Sequence, residues 1–550
     1  MTKYIVVLGG VVSGVGKGIV TSSIGKILQE YGFAVTCLKI DPYINLDAGT
    51  LRPTEHGEVW VTEDGGEIDQ DLGNYERFLG IKLSKENSIT TGQVYKTVID
   101  KERAGLYNGE TVQLIPHITN EIKGRVVNAG KGKDVLLIEV GGVVGDYENI
   151  PFLMALKSLE CDVGKENMVY VLVSYMLVPS HIGEMKTKPT QTAVRALMES
   201  GILPDIIVCR GKDPIDDVRK KKLELYQNIK KEFIVSCCDV DNIYKVPLML
   251  ENEGLGKKIL GKLNLNTSTT PNWLRWNELI ERMSNVEEGQ GKVIKIGIIG
   301  KYVNTGNYQL VDSYISVNEA IRHAIAHLSS SDAPLKLELD WLSSTDIDEN
   351  TVSKLSGYSG ILIPGGFGSS GVEGKILAIK HARERGIPFL GLCYGMQLAV
   401  VEFARNVCEC TGANTTEVDL DTPFPVVSIL EGQKEVTQKG GTMRLGAYKN
   451  EIRRGSLVES LYQECNRVED EKFVVERHRH RYEVNPKYVD LLERGGFVFS
   501  GYFEECGTKL MGFLELPEHK FFVATQSHPE FTSSLLKPNP LFIGFVRSCI

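Results

Sequence analysis

Tyr4-Ile5-Val6-Val7-Leu8-Gly9-Gly10-Val11-Val12-Ser13-Gly14-Val15-Gly16-Lys17-Gly18 decides the fold. A short apolar run without polar alternation reads as a strand buried on both faces, as in parallel sheets covered by helices. The glycines after it make a tight loop at a helix start. Its successive N–H groups form an anion nest, and Lys17 can reach a terminal phosphate. The loop departs from the strict phosphate-binding pattern: its first glycine is one position early, and Gly18 stands where a magnesium-binding Ser or Thr is usual. Ser13, Gly14, Val15, Gly16, Lys17 and Gly18 are therefore the candidate ATP-binding loop. A merely structural glycine turn would not call for the adjoining lysine.

Working outward, the pattern repeats. A helix is expected from about Gly18 to Tyr31, then strands at Phe33–Lys39, Asp134–Val140, Met168–Val173, Ile206–Cys209 and Phe233–Cys237. Helical periodicity separates them, as at Lys188–Ser200. Alternating strands and helices predict α/β architecture with a mostly parallel, doubly wound sheet. Asn266-Thr267-Ser268-Thr269-Thr270-Pro271-Asn272 is polar and turn-rich, and a helix at Trp273–Asn285 follows. The pattern restarts with a strand at Val293–Ile299, a helix at Asp312–Leu328, a strand at Tyr358–Pro364 and a helix at Gln397–Val407. The expected organisation is 1–266, a linker at 267–292, and a second doubly wound domain at 293–550.

Composition narrows the function. The 550 residues carry 71 acidic and 62 basic side chains, a formal charge of −9, well mixed along the chain. No basic tail or stripe points to nucleic acid or to an anionic membrane. The 11 cysteines form no Cys-x-x-Cys pair or zinc spacing, so reduced thiols and a cytoplasmic location are expected. The apolar start ends at Gly9-Gly10 and reads as a first strand, not a signal peptide, and no apolar run is long enough to span a membrane.

A nucleoside triphosphate needs magnesium, and magnesium needs carboxylates. Glu139 ends a strand on the ligand side of such a sheet, and Asp71 lies in Glu67-Ile68-Asp69-Gln70-Asp71. Surface solvation or a helix cap is the alternative for each. Two basic clusters, Lys186 with Lys188, and Arg219-Lys220-Lys221-Lys222, suit either a second polyphosphate or an ordinary solvated face.

A different chemistry is written near the C-terminus. Gly391-Leu392-Cys393-Tyr394-Gly395 follows an apolar stretch and precedes a helix, which places a small nucleophile on a sharp turn above a sheet. His528 and Glu530 are expected at a strand end with both side chains on one side, as base and orienting carboxylate. Pro364-Gly365-Gly366 and the N–H of Tyr394 supply oxyanion donors. This is a layout for splitting an amide.

These residues identify a resemblance. The chain resembles the CTP synthases over essentially its whole length, and its C-terminal half resembles class I glutamine amidotransferases. The stretches include Lys39-Ile40-Asp41-Pro42-Tyr43-Ile44-Asn45, His56-Gly57-Glu58-Val59, Glu139-Val140-Gly141-Gly142-Val143-Val144-Gly145-Asp146, Lys186-Thr187-Lys188-Pro189-Thr190-Gln191 and Arg479-His480-Arg481-Tyr482-Glu483. The resemblance implies that ATP phosphorylates the C4 oxygen of UTP, and that ammonia from glutamine, carried by an internal channel, displaces the phosphate. By position, Ser13, Gly16 and Lys17 belong to the ATP loop, with Asp71 and Glu139 as Mg2+ ligands. Ser13, Lys39, Asp146, Glu148, Lys186, Lys188, Gln191 and Lys222 match the region for UTP and inhibitory CTP. Gly366, Tyr394, Gln397, Glu417 and Arg481 match the glutamine pocket, and His56 the ammonia path. A homotetramer, activation by GTP and feedback by CTP are also implied. Another ATP-dependent glutamine amidotransferase, such as a cobyrinic-acid-type amidase, shares the loop and the amide site but not the stretches Lys39–Asn45 and Lys186–Gln191.

There are two departures. Ser369-Ser370 stands where the family places an arginine associated with the GTP response, which implies a response that is weak, altered or served by another residue. The stretch 302–310 is longer than usual.

Overall fold

The computed structural model describes the chain apart from residues 53–55, 290, 302–303, 306–307, 310, 331, 430–441 and 506. The stretch 302–310, read as longer than usual, therefore lies largely outside the described residues. Two compact units emerge, and they are not consecutive in sequence. The first holds Met1–Ala48 and Asp71–Arg275, the second Gly49–Gln70 and Trp276–Ile550. The linear reading into 1–266, 267–292 and 293–550 did not anticipate that residues 49–70 pack with the second unit.

The first unit is built on a seven-stranded sheet. Its strands are β1 (Lys3–Gly9), β2 (Val35–Asp41), β3 (Ser88–Thr90), β4 (Val135–Val140), β5 (Met168–Tyr175), β6 (Ile206–Gly211) and β7 (Ile234–Cys238). They lie in the order β3-β2-β4-β1-β5-β6-β7, every pair parallel. The central strands are largely apolar on both faces because helices cover both, so β1 is buried almost throughout. From β1 the chain turns toward β2 on one side, while from β4 it continues to β5 on the other. The crevice between their C-terminal ends is the switch point at which such sheets bind ligands.

The second unit carries a nine-stranded sheet. In chain order these are β8 (Lys292–Gly300), β9 (Leu335–Ser343), β10 (Gly360–Ile363), β11 (Phe389–Leu392), β12 (Arg444–Ile452), β13 (Phe473–His480), β14 (Val498–Glu505), β15 (Thr508–Glu515) and β16 (Phe522–Thr525). The spatial order is β9-β8-β10-β11-β16-β15-β14-β12-β13. The half from β9 to β16 is parallel, and β15, β14, β12 and β13 extend it antiparallel. The helix Tyr394–Asn406 starts directly after Cys393, three residues earlier than the periodicity indicated, because the nucleophile turn itself is the helix start.

Candidate active sites

In the first unit the glycine loop joins β1 to the helix Lys17–Glu30, with Gly14 at φ 69° and Gly16 at φ 82°. Those left-handed angles are open to glycine at no steric cost. Lys17 folds back along the loop, and its Nζ donates to the Gly142 carbonyl at 2.7 Å. Burial lowers its pKa, partly offset by Glu139.

Lys39 and Glu139 are directly opposite each other on β2 and β4, so their side chains share one face of the sheet. Lys39 Nζ sits 3.3 Å from Glu139 and also pairs with Asp71. Asp71 opens the helix Asp71–Leu79, and Tyr75, one turn later on the same face, donates to Glu139. Burial raises both carboxyls. At Asp71 the Lys39 ammonium reverses this and holds the group low. Glu139, wholly enclosed and repelled by Asp71, is pushed up to about 7.

The departure at Gly18 has a physical reason. A Cβ there would collide with the Asp71 carboxylate and lie 3.6 Å from a Glu139 oxygen. Asp71 fills the space that a Ser or Thr side chain would take. Two hard carboxylates facing a phosphate loop fit Mg2+, which takes few protein ligands and completes its shell with phosphate oxygens and water. Among the described residues no group of three or more His, Cys, Asp or Glu forms a fuller metal cage.

The two basic clusters, left open from sequence, converge. Arg219 donates to the Met185 carbonyl at 2.9 Å and lies 3.3 Å from Glu184, which also accepts from Lys186 at 2.7 Å. The Lys186 hydrogen bond and charge, with smaller help from Arg219 and Lys222, keep the Glu184 pKa low. Glu148, Lys188 and Lys222 are exposed, and Gln191 donates to Thr187 at 3.2 Å. Thr190, between Lys188 and Gln191, bonds Ser174 at 2.8 Å, and Ser174 lies against Gly10 of the loop. Asp146 accepts from Val143 N–H at 2.8 Å, beside the Gly142 that holds Lys17. Arg210 was missed from sequence. Its guanidinium carbon is 3.6 Å from where a Gly16 Cβ would be, and it pairs with Asp239 at 3.0 Å.

In the second unit Cys393 adopts φ 49°, ψ −97°, a strained turn for a non-glycine residue. Close packing dictates the flanking glycines: a Cβ on Gly395 would strike the Ile363 carbonyl, and one on Gly391 would press on Ala524 and Gly395. His528 Nδ1 is 2.7 Å from Glu530 Oε1. The expectation of a strand end for this pair is corrected. Pro529 starts a 3-10 turn, Pro529–Thr532, and that turn brings Glu530 back onto the imidazole. Burial alone would lower the His528 pKa, but Glu530 and Cys393 outweigh it and push it up to about 10. Gly365 must lack a side chain, since its Cβ would lie 2.7 Å from His528 Cε1.

Around this centre Gln397 donates to the Tyr482 carbonyl at 3.0 Å, and Glu417 accepts from Gly368 N–H at 2.6 Å. Burial raises the Glu417 carboxyl. Tyr394 donates to the Gly368 carbonyl at 2.9 Å, so Glu417 and Tyr394 hold the loop after Gly366 from two sides. Arg481 donates to Thr442 at 3.0 Å. Ser369 and Ser370 are exposed, as is His56, which belongs to the second unit. Gln526, to which sequence assigned no role, places its amide 3.6 Å from the Cys393 sulfur.

Lys375 is a second missed residue. It lies with Val372, Ile376 and Ile379 on the apolar face of the helix Val372–Arg385, and a lysine at that spacing was the available signal. It is fully buried, its Nζ makes no hydrogen bond among the described residues, and it sits 5.3 Å from the Tyr394 ring centre. Burial first, and then Lys301, lower its pKa to about 7. A lowered lysine pKa destabilises the fold below the ordinary lysine range, fully once pH falls beneath about 7. Lys375→Met should raise the apparent melting temperature by about 3–5 °C at pH 6 and by less near pH 10, read by calorimetry at both pH values.

Comparison with known proteins assigns a family to both parts of the chain. A family model described as CTP synthase N-terminus matches residues 3–265, and one described as glutamine amidotransferase class-I matches residues 309–548. The chain is 48% identical over 548 residues to the CTP synthase of Pyrococcus furiosus, covering 100% of this chain and 98% of that protein. It is 50% identical over 552 residues to the CTP synthase of Sulfurisphaera tokodaii, covering 100% and 99%. The glutaminase domain of a Trypanosoma brucei CTPS with bound acivicin matches 46% of this chain and 93% of its own length, at 32% identity and TM-score 0.41. The chain belongs to the CTP synthase family and is an ATP-dependent, glutamine-hydrolysing ligase that converts UTP to CTP.

Proposed function

We propose that the two sites divide the reaction as follows. Residues 1–266 form the synthase domain and 293–550 the amidotransferase domain, with 267–292 as linker. His528 takes the Cys393 proton, and the sulfur attacks the glutamine amide carbonyl. The N–H groups of Gly366 and Tyr394 receive the oxyanion, and the Glu530 carboxylate stabilises the imidazolium. His528 returns its proton to the leaving nitrogen, and water hydrolyses the thioester to glutamate. Glu417 binds the substrate ammonium, Arg481 its carboxylate, and Gln397 braces the pocket.

At the other site Ser13 to Gly18 hold the ATP phosphates, with Asp71 beside them. Asp71 and Glu139 would hold Mg2+, which supplies charge neutralisation to the triphosphate when bound. Lys17 leaves Gly142 to meet the transferring phosphoryl group, and Lys39 meets the phosphate carried on C4. Ser13, Asp146, Glu148, Lys186, Lys188, Gln191 and Lys222 take up UTP or, as feedback inhibitor, CTP. Ammonia then reaches C4 past His56 and displaces the phosphate. The same reading includes a cytoplasmic homotetramer and, with Ser369-Ser370 in place of the arginine, a GTP response that is weak, altered or served by another residue.

The observation that carries this reading is the pairing of a strained, imidazole-facing cysteine with a separate lysine–carboxylate phosphate site. UTP amination should proceed with either glutamine or ammonium chloride when Mg-ATP is supplied, followed by ultraviolet absorbance with and without GTP. Absence of CTP from ammonia, with the protein folded and ATP and magnesium saturating, would overturn the synthase roles. No difference without magnesium would overturn the metal ligands.

A further inference from the structure

Residues 49–70 leave the first unit's chain after Ala48, return to it at Asp71, and pack in between as part of the second unit. This strap includes a small hairpin, Trp60–Val61 with Glu67–Ile68. It packs against β13, whose alternating side chains put Arg477 and Arg479 on one face.

Each of these arginines has its backbone on one catalytic residue and its side chain on the strap. The Arg477 carbonyl accepts from the His528 N–H at 2.7 Å, while its guanidinium donates to the Val61 carbonyl at 2.9 Å and lies 5.4 Å over Trp60. The Arg479 carbonyl is 3.7 Å from the Cys393 sulfur, its acceptor for the thiol proton. The Arg479 side chain pairs with Glu67 at 2.9 Å and reaches the Gly49 carbonyl at 3.4 Å. Glu67 is 1% exposed. A third link runs from Trp60 to Phe531 at 4.8 Å, and Phe531 stacks on the His528 ring at 5.2 Å and 12°.

We propose that the Glu67–Arg479 ion pair is a positioning element of the glutaminase centre. It sets the distance between the Arg479 carbonyl and the Cys393 sulfur, and so the balance between thiol and thiolate. A carbonyl oxygen favours the protonated sulfur and disfavours the anion, so a shift of a few tenths of an ångström alters attack without altering the glutamine pocket. The planar guanidinium, anchored twice, fixes the strand against sliding. The pair rests on Cys393 being the nucleophile, and it touches neither substrate nor leaving group.

The test uses the full chain and four variants: Glu67→Gln, Arg479→Met, their double, and Glu67→Asp. Expected is a drop in glutamine-dependent kcat of about tenfold or more in each single variant, with KM for glutamine within about twofold of the parent. The double variant, which leaves neither charge orphaned, should lose no more than either single one, because both remove one interaction. Glu67→Asp should recover part of the loss. Ammonia-dependent CTP formation should stay near the parent rate, and the pH midpoint for iodoacetamide alkylation of Cys393 should move. Multiplicative losses in the double variant, an unmoved alkylation midpoint, or an equal fall of the ammonia reaction would each overturn the proposal. Cys393→Ala separates the layers. If it keeps glutamine turnover, the nucleophile itself is wrong. If it is inactive while Glu67→Gln and Arg479→Met keep full kcat, the positioning role alone fails.

Discussion

Cys393→Ala should abolish glutamine-dependent CTP formation, by about 10⁴-fold or more, while ammonia-dependent formation stays within about twofold of the parent. The sulfur is the only atom lost, and the turn that carries it keeps its packing. Its amide still donates to the Thr525 carbonyl at 2.7 Å, and Gly391 and Gly395 still fit against Ala524 and Ile363. The oxyanion donors and the glutamine pocket remain, so glutamine still binds and its amide has no partner for attack. The measurement is CTP formation with each nitrogen source in turn. Loss of both activities would mean that the variant damages the synthase, and loss of neither would remove Cys393 from the mechanism.

Lys17→Met should give the opposite signature. Both nitrogen sources should fail by about 10³-fold, since removing a cation from a phosphoryl-transfer site costs that much in comparable sites. Glutamate release from glutamine should persist at its basal rate. The packing supports a specific lysine, not merely a positive charge. A Cβ on Gly9 would lie 2.9 Å from Lys17 Nζ, so the slot over the loop is narrow and a planar guanidinium in Lys17→Arg should not restore activity. The contrast between the two variants, read in one assay with glutamine, ammonia and a glutamate readout, tests the division of labour directly. Retained CTP synthesis in Lys17→Met would exclude the loop as the ATP phosphate site.

Much of this was legible before any coordinates. The strand–glycine–helix order at Tyr4–Gly18 and at Phe389–Gly395 is local information, because buried strands and tight turns write their own composition. The first sheet followed from alternation alone, except for its edge strand β3 (Ser88–Thr90), which is too short to show a pattern. The second did not: its β15, β14, β12 and β13 mix buried and partly exposed residues, and their antiparallel addition, with helices in the links from β12 to β13 and from β13 to β14, leaves a weaker pattern than a βαβ unit. Lys375 went unnoticed because a single lysine on an apolar helix face looks like a surface break in the stripe. The departure at Gly18 had no explanation in the sequence, because Asp71, which fills the space a side chain there would take, is distant in the chain.

Sequence alone thus determined the strand and helix alternation and the family's two chemistries, and it singled out Cys393, His528 and Lys17 as candidates for the nucleophile, its base and the phosphate lysine. These depend on residue types and on spacings within a turn or a strand. Tertiary structure decided which distant carboxylates share a cation, that both basic clusters converge near Glu184, and that 49–70 braces the strand behind Cys393 and His528. Those are through-space relations between residues far apart in the chain, and they exist only after burial has selected one packing among many. Local propensity carries no record of a partner 412 positions away, which is the separation of Glu67 from Arg479.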